Sequence, residues 1–264
     1  MNIDLKSRLE SILPIVRQAS DLALSHFGRV SKHDKPDGSI VTEADALTEK
    51  LIVEGIKRRF PDETIIGEEL GTMEGDSQCV WSIDPIDGTA VYSSRLPMWC
   101  VSIGLLVNRK PVLGVVSLPA LQETYYAYKG GGAYMVSERW GKERIQIPPS
   151  DVPEAWDRNT MICTPSKLHR SYIVDLPCKC RSLGSTAIHA LLVARHDAAG
   201  AIMQPYIWDI AGAGAILLEA GGVIEYYEGG HADIQSLVPG QPPRYLILSA
   251  PQCADYVRRH LLPR

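Results

Sequence analysis

Acidic residues at the ends of predicted elements carry the chemistry of this chain. Asp84-Pro85-Ile86-Asp87-Gly88-Thr89 follows a run rich in β-formers, Gly67-Glu68-Glu69 follows another, Trp208-Asp209 opens an apolar helical pattern, and Asp45 lies in the first turn of a predicted helix. In the first motif two carboxylates stand three residues apart with a proline between them. Pro85 has a fixed φ and pushes Asp84 toward extended geometry, so the turn can aim both carboxylates to one side. Gly88 lets a ligand approach the backbone closely, and a helix starting near Thr89 would offer free N–H groups to an anion. Carboxylates beside such donors conflict for an anionic ligand unless a hard divalent cation stands between. Mg²⁺ suits that place, because it takes oxygen ligands, keeps waters and shares substrate phosphate. The alternative is a strand-to-helix turn with an aspartate cap, which D-P-x-D alone supports about equally. The acids at the other element ends favour the cation.

Hydrophobic periodicity gives the elements that position these groups. Residues 5–27 are predicted helical from Leu5, Leu9, Ile12, Leu13, Val16, Ala19, Leu22 and Ala23, with Gly28 as the stop. Lys35-Pro36-Asp37-Gly38 is turn chemistry. A second helix is predicted over 42–60, where Leu47, Leu51, Ile52, Ile56 and Phe60 share a face and Thr42 with Asp45 forms a capping pair. Strands are predicted at 64–66 and 79–83, then at 99–107, 112–118 and 123–128 as an antiparallel meander ending in Gly130-Gly131-Gly132. Pro148, Pro149 and Pro153 lie in a polar stretch. That shift divides an N-terminal α+β sub-domain, 1–150, carrying the metal motifs from a C-terminal α/β sub-domain, 151–264, carrying Trp208-Asp209. In the second part strands are predicted at 160–164, 178–181, 198–203, 223–226 and 245–249, and helices at 185–194, 210–220 and 252–262. The mixture suggests packed α and β layers.

Composition narrows the function. The 264 residues carry 27 Lys plus Arg against 31 Asp plus Glu, a formal net charge of −4, which gives no global attraction to nucleic acid. No run approaches about 18 uncharged apolar residues, and the start carries Asp4, Lys6, Arg8 and Glu10 where a secretory leader needs an apolar block. A cytoplasmic protein without a membrane segment is expected. Six scattered cysteines are too few for a disulfide scaffold, and Cys178-Lys-Cys180 lacks a second ligand pair at zinc-site spacing. There is no G-x-S-x-G elbow for serine hydrolysis. Gly212-Ala213-Gly214 is assigned to close helix packing, and Arg139–Arg144 to a solvated hairpin end.

Together these motifs make the chain resemble the inositol monophosphatase family of magnesium-dependent, lithium-sensitive phosphatases. The resemblance rests on Gly67-Glu68-Glu69, Trp81-Ser82-Ile83-Asp84-Pro85-Ile86-Asp87-Gly88-Thr89 and Trp208-Asp209-Ile210-Ala211-Gly212-Ala213, supported by Val41-Thr42-Glu43-Ala44-Asp45 and Glu219-Ala220-Gly221-Gly222-Val223. Their order and separations match over nearly the whole chain. The resemblance implies an α+β fold layered as an αβαβα five-layer sandwich, a homodimer, and two or three Mg²⁺ per site. It implies Glu68, Asp84 and the Ile86 carbonyl as ligands of a first metal, and Asp84, Asp87 and Asp209 as ligands of a second. Glu68 would also touch a third, weaker metal. Thr89, backed by Asp45, would help position the attacking water. The backbone of Gly88, Thr89 and Ala90 would face the phosphate, and Lys35 matches a lysine on a mobile N-terminal hairpin. The implied reaction is hydrolysis of a small-molecule phosphate monoester by metal-activated water with no covalent intermediate.

Departures from the family pattern lie on the alcohol side. After Thr89 the family's T-x-N-F is replaced by Ala90-Val91-Tyr92-Ser93. The glutamate that reads sugar hydroxyls about seven residues before the W-D aspartate is absent from Ala201-Ile202-Met203-Gln204-Pro205-Tyr206-Ile207-Trp208-Asp209. Gly184-Ser185-Thr186-Ala187 does match the family's substrate-side loop, with Thr186 or Ser185 as helix N-cap. Substrate contacts are therefore expected from Asp87, Gly88, Thr89, Ala90, Gly184, Thr186 and Asp209. Inositol monophosphate is the default substrate, and histidinol phosphate, fructose-1,6-bisphosphate and 3′-phosphoadenosine 5′-phosphate are the alternatives within the superfamily. A phosphatase-like regulator that binds RNA or transcription factors is the alternative class, and nothing in the sequence is basic enough to favour it.

Overall fold

The structure, a computed structural model, describes residues 3–34, 40–137, 139–148, 152, 156–241 and 244–264. Lys35 and the boundary near residue 150 fall outside the described residues.

Helix α1 (Leu5–His26) starts at Asp4, whose carboxylate accepts the Ser7 N–H at 3.1 Å, and buries Leu9, Ile12, Val16, Ala19 and Ala23. It packs on α2 (Glu43–Arg59). A two-stranded ribbon of β1 (His33–Asp34) and β2 (Ile40–Val41) lies between them in sequence. The meander grows into an eight-stranded sheet made from β3 (Thr64–Gly67), β4 (Gly71–Met73), β5 (Cys79–Asp87), β6 (Cys100–Val107), β7 (Lys110–Leu118), β8 (Glu123–Tyr128), β9 (Gly132–Ser137) and β10 (Gly141–Ile145). Its order is β10-β9-β8-β7-β6-β5-β3-β4, antiparallel throughout except β3 beside β5. A short helix, α3 (Thr89–Ser93), leaves β5.

The second sheet has five strands, β11 (Met161–Cys163), β13 (Lys179–Arg181), β14 (Gly200–Met203), β15 (Val223–Tyr226) and β16 (Leu246–Ser249), in the order β13-β11-β14-β16-β15. Between the sheets lie α4 (Thr186–Ala194) and α5 (Ile207–Glu219), which touch both. Helix α6 (Ala254–Arg259) packs on β16. The layers run α1/α2, large sheet, α4/α5, small sheet, α6, which is the αβαβα sandwich that the resemblance implies.

Helix α5 sits unusually close to the large sheet. A Cβ at Gly114 would come within 2.0 Å of the Gly212 carbonyl, and one at Gly212 within 2.6 Å of Ser102 Oγ. The glycines permit backbone-to-backbone contact, as expected of Gly212-Ala213-Gly214. That contact fixes the height of the N-terminus of α5, and with it Asp209, over β5 and β6.

Several boundaries differ from the sequence expectation. The strand predicted to stop at residue 83 continues to Asp87, and α5 starts at Ile207, three residues before the predicted start. The closing helix ends at Arg259 instead of 262. Leu261–Pro263 forms β17, paired with β12 (Tyr172–Val174), and this cross-chain pairing overrides the helical spacing of the leucines. Strands β4, β9, β10 and β12 were not predicted; Arg139–Arg144 falls at the β9–β10 hairpin and its adjoining strand.

Candidate active site

A register shift in the large sheet creates the centre of the site. Asp84 pairs with Ser102, but Asp87 pairs with Cys100, so three steps along β5 match two along β6. Side chains three apart on a regular strand point to opposite faces. The extra residue of the bulge at Pro85-Ile86 cancels that offset, and bulges commonly re-aim side chains in this way. Asp84 and Asp87 therefore point to one side, while Ile86 buries its side chain completely in the core beneath. The Ile86 N–H donates to Asp84 Oδ1 at 3.0 Å, which fixes that carboxylate.

Asp209 arrives from the first turn of α5. Its Oδ2 accepts the Tyr206 N–H at 2.7 Å and so caps the helix. Oxygens of Asp84, Asp87 and Asp209 lie within 4.8 Å of one another. Among the described residues no lysine or arginine pairs with any of the three. Burial first, and then the neighbouring carboxylates, push the Asp84 and Asp209 carboxyls well above the usual range. Glu68 adds to the repulsion at both. It enters from the β3–β4 turn, its N–H donating to the Ile83 carbonyl at 3.3 Å, but stands outside the group of three. Buried, mutually repelling carboxylates without a counter-ion are costly, and an oxygen-only donor set of this kind fits a hard divalent cation.

Asp87 has a second attachment. Its carboxylate accepts Ser185 Oγ–H at 2.7 Å, the Ala187 N–H at 2.5 Å and the Thr186 N–H at 3.2 Å. These bonds oppose the upward push that burial gives its pKa. Ser185 also accepts the Ile188 N–H at 3.1 Å, so the N-cap of α4 is Ser185 and not Thr186. Gly184, in the left-handed region at φ +90°, turns the chain into this cap. The N-terminus of α4 is thus docked on the Asp87 carboxylate. Ser185→Ala is expected to cost about 1–2 kcal/mol of stability, read as a lower urea midpoint; an unchanged midpoint would contradict the double role of this hydroxyl.

Thr89 stands on the other side of the bulge. Its Oγ1 lies 3.2 Å from Asp45 Oδ1 and 3.1 Å from the Ile86 carbonyl, both acceptors. The one hydroxyl hydrogen goes to one of them, which leaves the lone pairs of Oγ1 to accept. Asp45 is itself fully buried and accepts the Thr42 N–H at 2.8 Å and Thr42 Oγ1–H at 2.6 Å. Burial is the largest influence on Asp45 and raises its pKa. Gly88, at φ +96°, opens α3 and directs the chain through Thr89 and Ala90 past the carboxylates.

A cavity of about 300 Å³ opens beside α4, lined by Lys167, Ser182, Thr186, His189, Gln204 and Tyr245, among others. Burial lowers His189 to about 4, and its Nε2 accepts the Leu183 N–H at 2.9 Å, so the ring is neutral near pH 7. Among the described residues of this lining, Lys167 is the cation and none is a carboxylate. Met203, like Gln204, also lines the cavity.

The structure thus brings together Asp84, Asp87 and Asp209, with Glu68 and Thr89 beside them and Asp45 behind Thr89. Sequence reasoning missed Ser185 as a partner of Asp87, although a serine before an apolar helical run is a capping signal. It also missed Glu49, a buried carboxylate on α2 that accepts the Glu69 and Leu70 N–H groups and for which no local signal exists.

The layered fold and a carboxylate cluster that could hold a metal ion agree with the family match that makes this chain a phosphoric monoester hydrolase. Residues 4–255 match the inositol monophosphatase family, and the chain belongs to that family. It is 34% identical over 238 residues to a fructose-1,6-bisphosphatase/inositol-1-monophosphatase of Thermotoga maritima, covering 86% of this chain and 87% of the relative. It is 33% identical over 249 residues to a histidinol-phosphatase of Chlorobaculum parvum, with 88% and 89% covered. Inositol monophosphatase 1 of Homo sapiens is 33% identical over 213 residues, with 75% and 74% covered. The solved structure of the Thermotoga maritima IMPase superposes with a TM-score of 0.79 at 30% identity, covering 96% of both chains.

Proposed function

We propose that this protein hydrolyses a small-molecule phosphate monoester with two or three Mg²⁺ held by Glu68, Asp84, the Ile86 carbonyl, Asp87 and Asp209. The convergence of Asp84, Asp87 and Asp209 on one side of the β5 bulge carries this reading. When bound, the metal ions supply an activated water and neutralise charge on the phosphate and the departing oxygen. The chain's own residues do the positioning. Thr89 Oγ1, with its hydrogen directed at Asp45 or Ile86, offers a lone pair to the hydrogen of an attacking water. The backbone from Gly88 to Ala90 faces the phosphate. Gly184 and Thr186 border the alcohol half of the substrate. We assign a homodimer in the cytoplasm to the protein, as the family resemblance implies; among the described residues no helix is long and apolar enough to cross a membrane.

Inositol monophosphate is the first substrate we assign. The cavity beside Gly184 favours a second reading, an alcohol bearing another anionic group, as in fructose-1,6-bisphosphate. Lys167 would attract such a group, and no carboxylate among the described lining residues would repel it. Phosphate release with Mg²⁺ is the test, across inositol monophosphate, histidinol phosphate, fructose-1,6-bisphosphate and 3′-phosphoadenosine 5′-phosphate, with millimolar Li⁺ as inhibitor. Lys167→Ala is expected to lower kcat/KM about tenfold for the bisphosphate and leave inositol monophosphate unchanged. Equal loss on both would remove the second reading, and no release from any ester would remove the first as well.

A further inference from the structure

Glu49 is completely buried on α2, one helical turn after Asp45. Residues four apart lie on the same helix face, so α2 delivers two carboxylates toward the base of the site. Asp45 goes to Thr89. Glu49 goes to the turn between β3 and β4. Its Oε2 accepts the Glu69 N–H at 2.8 Å and its Oε1 accepts the Leu70 N–H at 3.2 Å. Gly67 and Gly71 pair across the base of this turn, so Glu68, Glu69 and Leu70 form its tip. The carboxylate reaches these donors by passing over Gly67, where a Cβ would lie 1.7 Å from Glu49 Oε1. The glycine of Gly67-Glu68-Glu69 is thus the gap through which Glu49 grips the turn.

From this geometry we infer that Glu49 is a positioning residue: it fixes the turn that carries Glu68, and so sets the affinity of the site for its metal ions. The inference rests on the proposed function, since it takes Glu68 as a ligand. The Glu68 N–H is tied to Ile83, and the next two N–H groups are tied to Glu49. The backbone of Glu68 and of the two residues after it is therefore held by these three bonds. Losing the partner that orients a metal ligand typically weakens metal binding by about 10- to 100-fold.

Glu49→Gln keeps the volume but sets an NH₂ group against one of the two N–H donors. Glu49→Asp keeps the charge but is one methylene too short to hold both. The full-length chain is titrated with Mn²⁺, and free Mn²⁺ is counted by electron paramagnetic resonance. Ile52→Val, on the same helix and equally buried, is the control for lost stability. Both Glu49 variants are expected to bind Mn²⁺ about tenfold more weakly or worse, with kcat largely restored at saturating metal. Ile52→Val is expected to lower the thermal midpoint and to bind Mn²⁺ like wild type. Wild-type affinity in Glu49→Asp would overturn the inference, because it would leave charge, and not position, as the contribution of Glu49. Equal loss in Ile52→Val would overturn it too, as general destabilisation. Wild-type protein that binds no Mn²⁺ would overturn both this inference and the proposed function, whereas wild-type binding with unaltered Glu49 variants would overturn the inference alone.

Discussion

Asp209→Asn is expected to lower kcat by about 10³-fold or more, roughly 4 kcal/mol of transition-state stabilisation, without unfolding the protein. The asparagine keeps a carbonyl oxygen for the Tyr206 N–H, so the first turn of α5 stays capped. Its amide nitrogen is a poor ligand for a hard cation, so the loss falls on the metal site. Stability should move the other way. Asp209 is held well above the usual carboxylate range by burial and by Asp87, with Glu68 adding to the push, so its charge opposes folding when no metal is present. The metal-free variant should therefore melt at or above the metal-free wild type. Most substitutions at polar buried positions destabilise; a stabilised but inactive protein is the signature of a group kept for function at the expense of the fold. Near-normal turnover, or a metal-free midpoint several degrees lower, would contradict this account of Asp209. Circular dichroism melts and initial rates on the same preparations check both.

Removing the metal is expected to abolish turnover and to invert the pH dependence of stability. Asp84 and Asp209 carry folded pKa values above those of the unfolded chain. Their contribution to the metal-free fold is fully present below the unfolded carboxylate range, about pH 4, and is lost as pH rises through the folded values. In EDTA the thermal midpoint should therefore fall between pH 5 and pH 8. With Mg²⁺ the deprotonated carboxylates become ligands, and metal affinity grows as protons leave. At about 100 times the dissociation constant each site adds about 2.7 kcal/mol, or roughly 5–10 °C for a chain of this size, and the addition should be larger at pH 8 than at pH 5. Turnover that survives EDTA, or a Mg²⁺ effect on the midpoint equal at both pH values, would contradict the proposed site.

The acids of the site were legible in the sequence because each stands at an element end with a distinctive neighbour: Pro85 beside Asp84, Gly67 before Glu68, Trp208 before Asp209. How they meet was not. A strand predicted to end at residue 83 puts Asp84 and Asp87 in a loop. The structure instead keeps them in β5 and re-aims them by a bulge, which depends on pairing with Ser102 and Cys100 far along the chain. Asp209 was expected just before a helix; three further residues of helix make it a cap, held in place by the contact of Gly212 with Gly114. Glu49 sits in an ordinary amphipathic pattern, and only the approach of Gly67 reveals its role. The main helices and central strands followed their periodicity because burial on one face repeats locally. The pairing of β12 with β17 did not, because a short edge ribbon is fixed by its partner and not by its own spacing.

The central claim is that Asp84, Asp87 and Asp209, with Glu68 beside them, hold the metal ions at which the ester is cleaved. An anomalous difference map from crystals soaked in Mn²⁺ tests it most directly. The account predicts strong peaks within bonding distance of oxygens of Asp84, Asp87 and Asp209, with Glu68 turned toward at least one of them. A map in which these carboxylates lie apart with no peak among them, from crystals that still take up Mn²⁺ elsewhere, would contradict it.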